Sequence, residues 1–218
     1  QTPGYSGTVG KLWLEQGGVY VMANIRGGGE FGPAWHQAGL KTKRQTIYDD
    51  FAAVALDMIA RKITSPRRLG IQGGSNGGLL MGVMLTQRPD LFGAIVCQVP
   101  LLDMRRFNQL LAGASWMDEY GDPDRPEQWA YIQKFSPYHQ VQAGVKYPRV
   151  LFTTSTRDDR VHPGHARKMV ARLREFGQPV VYYENIEGGH GGAADNEQRA
   201  TLQALEFTYL WQRLSGTD

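Results

Sequence analysis

The segment Gly73-Gly74-Ser75-Asn76-Gly77 fits the Gly-x-Ser-x-Gly pattern in which a nucleophilic serine occupies a sharp turn between a strand and a helix. We expect the turn to be so tight that side chains at the first and last glycine would collide with neighbouring backbone, and the serine to be strained. Asn76 would open the helix, with its backbone N–H directed toward a developing oxyanion. Because the pattern also occurs by chance in glycine-rich turns, the chain must also supply the partners of a nucleophile.

A serine hydroxyl is a weak nucleophile at neutral pH, so it needs a histidine as base and a carboxylate that orients the histidine. His190 lies in a glycine-flanked loop after the last predicted strand, and Asp158 and Asp159 follow the strand before it. The order serine, aspartate, histidine is that of an α/β-hydrolase. Spacing does not decide between the two aspartates. Whichever of them does not orient the histidine would cap the following helix or pair with Arg160.

The remaining histidines are weaker candidates for the base; they are His36, His139, His162 and His165. The first two do not follow a predicted strand, so we interpret them as surface or packing residues. The last two lie at the start of a helix, and His162 is too near Asp158 in the chain to span the site. We therefore favour His190, the alternative being a loop histidine with no catalytic role.

Strands and helices alternate along the chain, and this alternation explains how the candidate residues would meet. Apolar, β-branched runs predict buried strands over residues 19–25, 68–72, 91–99, 149–154 and 180–186. Periodic apolar residues predict helices over residues 46–62, 76–88, 162–176 and 200–214. The pattern predicts an α/β fold whose mostly parallel sheet carries helices on both faces. Ser75, Asp158 and His190 each follow a strand, at the edge where such sheets gather their chemistry.

An aromatic insertion interrupts the alternation between residues 101 and 147. It contains Trp116, Tyr120 and Trp129 with several prolines between them. Because this composition is too aromatic for a disordered linker, we predict a packed, partly helical excursion from the sheet.

Composition excludes several classes of protein. A chain of 218 residues, 41% of them hydrophobic, suits one domain over residues 1–218. The net charge of +3 is small and the basic residues are scattered, so we expect no nucleic-acid partner. No apolar stretch reaches the roughly 18 residues of a membrane span and no export signal is visible, so we expect a cytoplasmic protein without a membrane partner. No histidine or cysteine spacing suits zinc, and we expect no metal or other cofactor.

Four motifs of this chain, taken together, resemble the catalytic domain of the prolyl oligopeptidase family of serine peptidases. They are Ala23–Glu30, Gly73–Gly78, Arg88–Phe92 and Asp158–Val161, and the likeness spans nearly the whole chain. The resemblance implies that Ser75 is the nucleophile, that the first aspartate of the pair, Asp158, orients the base, and that His190 is the base. It also implies that the Asn76 N–H binds the oxyanion.

The same resemblance implies a pocket for a proline side chain. Trp116 is similar to the indole on which the family stacks the proline ring before the cleaved bond, and Arg160 to the residue that binds a substrate carbonyl. Tyr120, Leu101 and Val161 would line the pocket. A flat apolar ring against an indole face is physically reasonable, because the contact needs no hydrogen bond.

The family's usual amino-terminal parts lie outside this sequence: a first strand ending in a tyrosine that donates to the oxyanion, and a β-propeller. We do not assign the tyrosine's role to Tyr5. The expected fold is therefore an α/β-hydrolase lacking its first strands. The absent strand would normally lie between residues 19–25 and the strand before Ser75, so both of these would expose unpaired backbone edges. Either the chain is the carboxyl-terminal part of a larger peptidase, or rearrangement or a second subunit closes the sheet. A single species of 24.3 kDa in solution would contradict the larger peptidase and the second subunit.

The leading functional hypothesis is a serine peptidase that hydrolyses short peptides after proline through an acyl-enzyme. A carboxylesterase or acylaminoacyl-type peptidase on the same scaffold is the first alternative, and small esters would then be substrates. A catalytically inactive binding module is the second. The single Cys97 lies in an apolar run, so we expect an inert buried thiol rather than a nucleophile.

Overall fold

Four parallel strands form the sheet. In the computed structural model, which describes residues 4–216, they are β1 (Gly70–Gly74), β2 (Ala94–Gln98), β3 (Arg149–Ser155) and β4 (Val180–Asn185). They pair in the order β1-β2-β3-β4, and each neighbouring pair is parallel. The predicted parallel α/β architecture is confirmed.

Helices follow the strands as the periodicity predicts. Within residues 4–216 the α-helices are α1 (Gly7–Leu12), α2 (Pro33–Gln37), α3 (Gln45–Ala60), α4 (Asn76–Gln87), α5 (Met117–Tyr120), α6 (Pro126–Ile132), α7 (Pro137–Gln140), α8 (Gly164–Glu175) and α9 (Asn196–Leu214). Short 3₁₀ helices lie at Leu14–Gln16, Lys41–Lys43, Pro66–Arg68, Phe107–Gln109, Leu111–Trp116 and Gln133–Phe135. α9 begins four residues before its predicted start, because the Asp195 side chain accepts a hydrogen bond from the Gln198 N–H and caps it.

Both faces of the sheet are covered, and the alternation of side chains along β2 and β3 sorts the core into two layers. Val96 and Leu151 pack with Leu210 of α9 on one face. Cys97 and Phe152, one position on in each strand, belong to the larger core cluster on the other face, with side chains of α3, α4 and α8. Burying a large aliphatic or aromatic side chain contributes about 1.5–3 kcal/mol, so the side chains of both layers stabilise the fold.

Cys97 lies in the middle of β2 and is buried, as its apolar surroundings predict. Its Sγ is 3.3 Å from the carbonyl oxygen of Gly78 in α4. Burial raises the pKa of the thiol, which keeps it protonated and unreactive in the folded protein.

Residues 19–25 do not form the predicted buried strand, so this prediction was wrong. The segment pairs with no strand of the described chain, and four of its side chains are exposed: Val19, Tyr20, Val21 and Met22. Indole N–H groups hold its two ends, Trp13 donating to the Val19 carbonyl at 3.0 Å and Trp35 to the Ile25 carbonyl at 2.9 Å. β-branched composition suits a strand, but a strand also needs a neighbouring edge to bond with. β1 is accordingly an outer strand of the sheet.

The aromatic insertion is packed and partly helical, as predicted. It contains α5, α6 and α7 and three of the 3₁₀ helices. Phe107 and Ile132 are fully buried, and Trp116 and Trp129 pack partly buried against the larger core cluster. The insertion is therefore an integral part of the packed core.

Glu206 of α9 is a buried acid that sequence reasoning did not identify; it is 1% exposed. Its carboxyl group accepts hydrogen bonds from the side chains of Gln98 at 2.7 Å, Gln72 at 3.1 Å and Thr153 at 3.2 Å. These partners come from β2, β1 and β3, and all are neutral. Burial raises the pKa of the Glu206 carboxyl.

We expect Glu206→Gln to stabilise the protein relative to wild type at alkaline pH more than at acidic pH. A carboxyl group with a raised pKa in the folded state favours folding while protonated, and that contribution is lost as the pH rises above about 4.5, through the raised pKa. The amide has no such cost. Denaturant unfolding of both proteins between about pH 5 and pH 8 measures the effect, and a pH-independent difference would contradict it.

Candidate active site

Ser75 occupies the turn between β1 and α4 in a conformation that non-glycine residues rarely adopt. Its φ is +58° and its ψ is −115°. Its N–H donates to the Gln98 carbonyl at 2.9 Å, and its carbonyl accepts from the Leu79 N–H at 3.1 Å, so bonds from β2 and α4 hold the residue in place. Such a conformation costs about 1–3 kcal/mol and persists only where the surroundings impose it. Ser75 therefore has the backbone strain expected of a nucleophile elbow.

Gly73 and Gly77, the first and last glycines of the pattern, differ in the space available for a side chain. A Cβ on Gly73 would lie 2.6 Å from the carbonyl oxygen of Gly77, so the turn closes only without it. A Cβ on Gly77 would meet nothing within 4 Å, and the predicted collision of a side chain there is wrong. Because the backbone of Gly77 passes close to Gly73, the contact restricts only the first of the two positions. Gly78 is restricted instead, since its Cβ would lie 2.7 Å from the Pro100 side chain.

Asp158 and His190 are hydrogen-bonded at the carboxyl edge of the sheet. His190 Nδ1 lies 2.9 Å from Oδ2 and 3.1 Å from Oδ1 of Asp158, which is 4% exposed. The carboxylate also accepts the backbone N–H groups of Arg160 and Val161, each at 2.9 Å. With Nδ1 donating to Asp158, the Nε2 atom of the ring carries a lone pair able to accept a proton. Asp159 is exposed, so the geometry distinguishes two aspartates that spacing could not.

The loop that carries His190 is fixed at its base by Asn185, a residue that sequence reasoning missed. The Asn185 side-chain oxygen accepts the backbone N–H groups of Glu187 at 2.9 Å and Gly188 at 2.8 Å. A Cβ on Gly188 would lie 2.8 Å from the Ala193 nitrogen, so the loop folds back on itself only with glycine there. An asparagine between a strand and a glycine-rich turn is a signal that could have identified this contact.

Each of the other four histidines has a local partner away from Asp158. His36, His139 and His162 contact, respectively, Glu119, Ser136 and the Gly164 N–H. His165 is buried, and its Nδ1 accepts from the backbone N–H groups of Leu102 and Asp103. Burial lowers the pKa of His165 to about 4, so its ring is neutral and structural.

Ser75 and His190 are not directly hydrogen-bonded. Across residues 4–216 no hydrogen bond joins the Ser75 hydroxyl to the His190 ring. A cavity of about 220 Å³ is lined by His190, by Gly74, which precedes Ser75 in the chain, and by Gln98 and Thr153. Catalytic hydrogen bonds of this kind are often long without substrate and shorten when it binds. Another cavity, of about 280 Å³, lies among Tyr183, Asp195 and Glu197 and includes none of the predicted site residues.

Two contacts place the segment that carries Trp116 and Tyr120 relative to the Asp158 loop and to Asn76. Trp116 ends a 3₁₀ helix whose Ala112 N–H donates to the Arg160 carbonyl at 3.4 Å, which places the indole segment beside the Asp158 loop. The hydroxyl of Tyr120 donates to the Asn76 side-chain oxygen at 2.8 Å. Trp116 is half-buried and Arg160 exposed, and both offer surface to a ligand. Leu101, Tyr120 and Val161 are buried, so they can form only the floor of such a pocket.

No metal or membrane element accompanies the site in the part of the chain that the structure describes. Residues 4–216 contain no group of three or more histidine, cysteine, aspartate or glutamate side chains placed to hold a metal ion. Among the same residues, no helix has the length and apolar character needed to cross a bilayer. The described residues include a strained serine, a histidine paired with a buried carboxylate, and a helix N-terminus, which are kinds of group used in acyl transfer.

Comparison with known proteins identifies a family of peptidases. A sequence profile of the prolyl oligopeptidase family matches residues 4–217. An uncharacterised peptidase of Sinorhizobium fredii is 62% identical over 212 residues, covering 97% of this chain and 29% of the relative. A prolyl endopeptidase of Elizabethkingia miricola is 40% identical over 200 residues, covering 90% of this chain and 28% of the relative.

The fold of this chain also matches that of a solved structure. The post-proline cleaving enzyme of Rickettsia typhi superposes with a TM-score of 0.96 at 44% identity, covering 98% of this chain and 31% of the other. The predicted α/β-hydrolase fold is thereby confirmed. The chain spans less than a third of the length of each of these relatives.

Proposed function

Because this chain belongs to the prolyl oligopeptidase family, we propose that it carries the chemistry of a serine peptidase, with Ser75 as nucleophile, His190 as base and Asp158 as the orienting acid. The observation that carries the proposal is the pairing of His190 Nδ1 with the buried Asp158 carboxylate at 2.9 Å. That pairing leaves Nε2 available at the edge where Ser75 is held.

The reaction proceeds in two halves. His190 Nε2 accepts the Ser75 proton as the hydroxyl oxygen attacks the substrate carbonyl, and Asp158 stabilises the imidazolium that forms. The backbone N–H of Asn76, at the start of α4, donates to the oxyanion. His190 then protonates the leaving amine, the C–N bond breaks, and an acyl-enzyme remains on Ser75. Water, deprotonated by the same histidine, hydrolyses the acyl-enzyme and restores the serine.

The proposed substrates are short peptides cleaved after proline. The relatives from Elizabethkingia miricola and Rickettsia typhi are described as a prolyl endopeptidase and a post-proline cleaving enzyme. In this chain Trp116 offers the apolar face for a proline ring and Arg160 the cation for a substrate carbonyl. Leu101, Tyr120 and Val161 support the pocket from below.

We expect Trp116→Ala to reduce kcat/KM for a proline amide substrate by about tenfold or more, because the ring loses its stacking surface. Turnover of a small butyryl ester, which lacks the ring, should change much less. Leu111→Ala is the matched control, since this exposed residue belongs to the same 3₁₀ helix. Equal losses on both substrates would contradict a stacking role for the indole.

A fluorophosphonate probe tests the proposal as a whole. We expect the purified protein to be labelled at Ser75 and the Ser75→Ala variant to remain unlabelled. A panel of a proline amide, a proline ester and a butyryl ester then separates the substrate classes. Preference for the butyryl ester would favour a carboxylesterase, and absence of labelling in folded protein would favour a non-catalytic binding module.

A further inference from the structure

Arg44, at the start of α3, is a fully buried cation that the reaction scheme does not use. It is 1% exposed, and its guanidinium has partners from three separate parts of the chain. One terminal nitrogen donates to the Asn76 side-chain oxygen at 2.6 Å and the other to Glu119 at 3.0 Å. Nε donates to the Tyr48 hydroxyl at 3.2 Å. The guanidinium also lies 4.3 Å from the centre of the Tyr120 ring.

These contacts converge on Asn76. Its side-chain oxygen accepts from both Arg44 and the Tyr120 hydroxyl, while its backbone N–H starts the helix that follows Ser75. The opposite side of the cluster is held by His36, whose Nε2 lies 2.9 Å from the Glu119 carboxylate. One guanidinium thus connects the residue after the serine to the segment that carries Trp116 and Tyr120.

The cost of burying a charged guanidinium argues that Arg44 has a specific role rather than an incidental one. Removing a guanidinium from water costs several kcal/mol, and well-packed apolar side chains often replace buried ion pairs without loss of stability. What apolar side chains cannot do is donate directional hydrogen bonds to a carboxylate and an amide at once. The geometry that Arg44 imposes is therefore a specific property of this cluster.

We propose that Arg44 is a positioning residue for the reaction, which rests on the serine peptidase function proposed above. By fixing the Asn76 side chain, Arg44 fixes the backbone N–H that meets the oxyanion. By tying Asn76 to Glu119 and Tyr120, it sets the distance between that N–H and the pocket wall. The side-chain hydrogen bonds of Arg44 go to Asn76, Glu119 and Tyr48 rather than to Ser75, so Arg44 acts through Asn76. Displacements of about 1 Å at a catalytic group reduce rates by about a hundredfold, which sets the scale of the effect.

The test is a double-mutant cycle on the purified protein, with kcat and KM measured separately for a proline amide. Arg44→Lys keeps the buried positive charge but loses the planar fork, and we expect kcat to fall about 10- to 100-fold with KM nearly unchanged. Asn76→Ala keeps the backbone N–H and cuts the same link from the other side, so it should lower kcat similarly. In the Asn76→Ala background, Arg44→Lys should then have little further effect.

Tyr48→Phe is the control, because it removes a hydrogen bond to the same guanidinium without touching Asn76; its kcat should match wild type. Additive losses in the double variant, or wild-type kcat in folded Arg44→Lys or Asn76→Ala, would overturn the proposal. If Arg44→Lys does not fold, the Asn76→Ala kcat alone decides. Failure of the wild type to label with the probe would instead refute the underlying peptidase function, whatever the Arg44 variants do.

Discussion

Ser75→Ala should lower turnover by on the order of a million-fold, the scale of loss when another serine peptidase is deprived of its nucleophile. The alanine has no oxygen to attack the substrate, and no other hydroxyl is held in the same strained turn before α4. Any residual rate would come from the helix N-terminus and from binding alone. Turnover of a proline amide, with probe labelling as a second readout, measures the loss.

The control for this experiment uses the strain at the same position. Ser75→Gly also removes the hydroxyl, but glycine adopts a φ of +58° without cost. The free energy of unfolding of Ser75→Gly should therefore be about 1 kcal/mol higher than that of Ser75→Ala. Both variants should be equally inactive. An active alanine variant, or equal stabilities for the two, would contradict the assignment of a strained nucleophile.

Asp158→Asn should lower kcat by about 10,000-fold at neutral pH while the protein remains folded. The asparagine oxygen can still accept the N–H groups of Arg160 and Val161, which preserves the turn. Its amide nitrogen, however, would donate to His190 Nδ1 and place the ring proton on Nε2. The ring could then no longer accept the serine proton. Steady-state kinetics together with a thermal unfolding curve separate this effect from misfolding.

Asp159→Asn is the matched control, since the exposed neighbour differs from Asp158 by a single position in the chain. Its turnover should lie within about twofold of wild type, as expected for a surface substitution. If instead Asp159→Asn is the inactive variant, the pairing of His190 with Asp158 is not the functional one.

The features that follow from local sterics and from periodicity could be predicted from the sequence. The glycine at 73 has to be small because the turn passes its own backbone, and the order of strands along the chain follows from their apolar pattern. Residues 19–25 show the limit of that reasoning. Their composition suits a strand, but pairing depends on a neighbour that no local pattern reveals.

The supporting residues were missed for a related reason. Arg44 lies in a run with Lys41 and Lys43, and such a run is ordinarily a solvated face. Only the folded chain brings Asn76 and Glu119 to its guanidinium. Glu206 is similar, since a glutamate on an amphipathic helix gives no sign that three strands will direct neutral donors toward it.

The position of Cys97 has a practical consequence for all of these comparisons. As the sole thiol of the chain, enclosed between the sheet and α4, it becomes available to an alkylating reagent only when that central layer opens. Its rate of modification under native conditions therefore reports the population of opened molecules. Each variant can thus be ranked for integrity by mass spectrometry on small samples, without denaturant and independently of whether it retains any turnover.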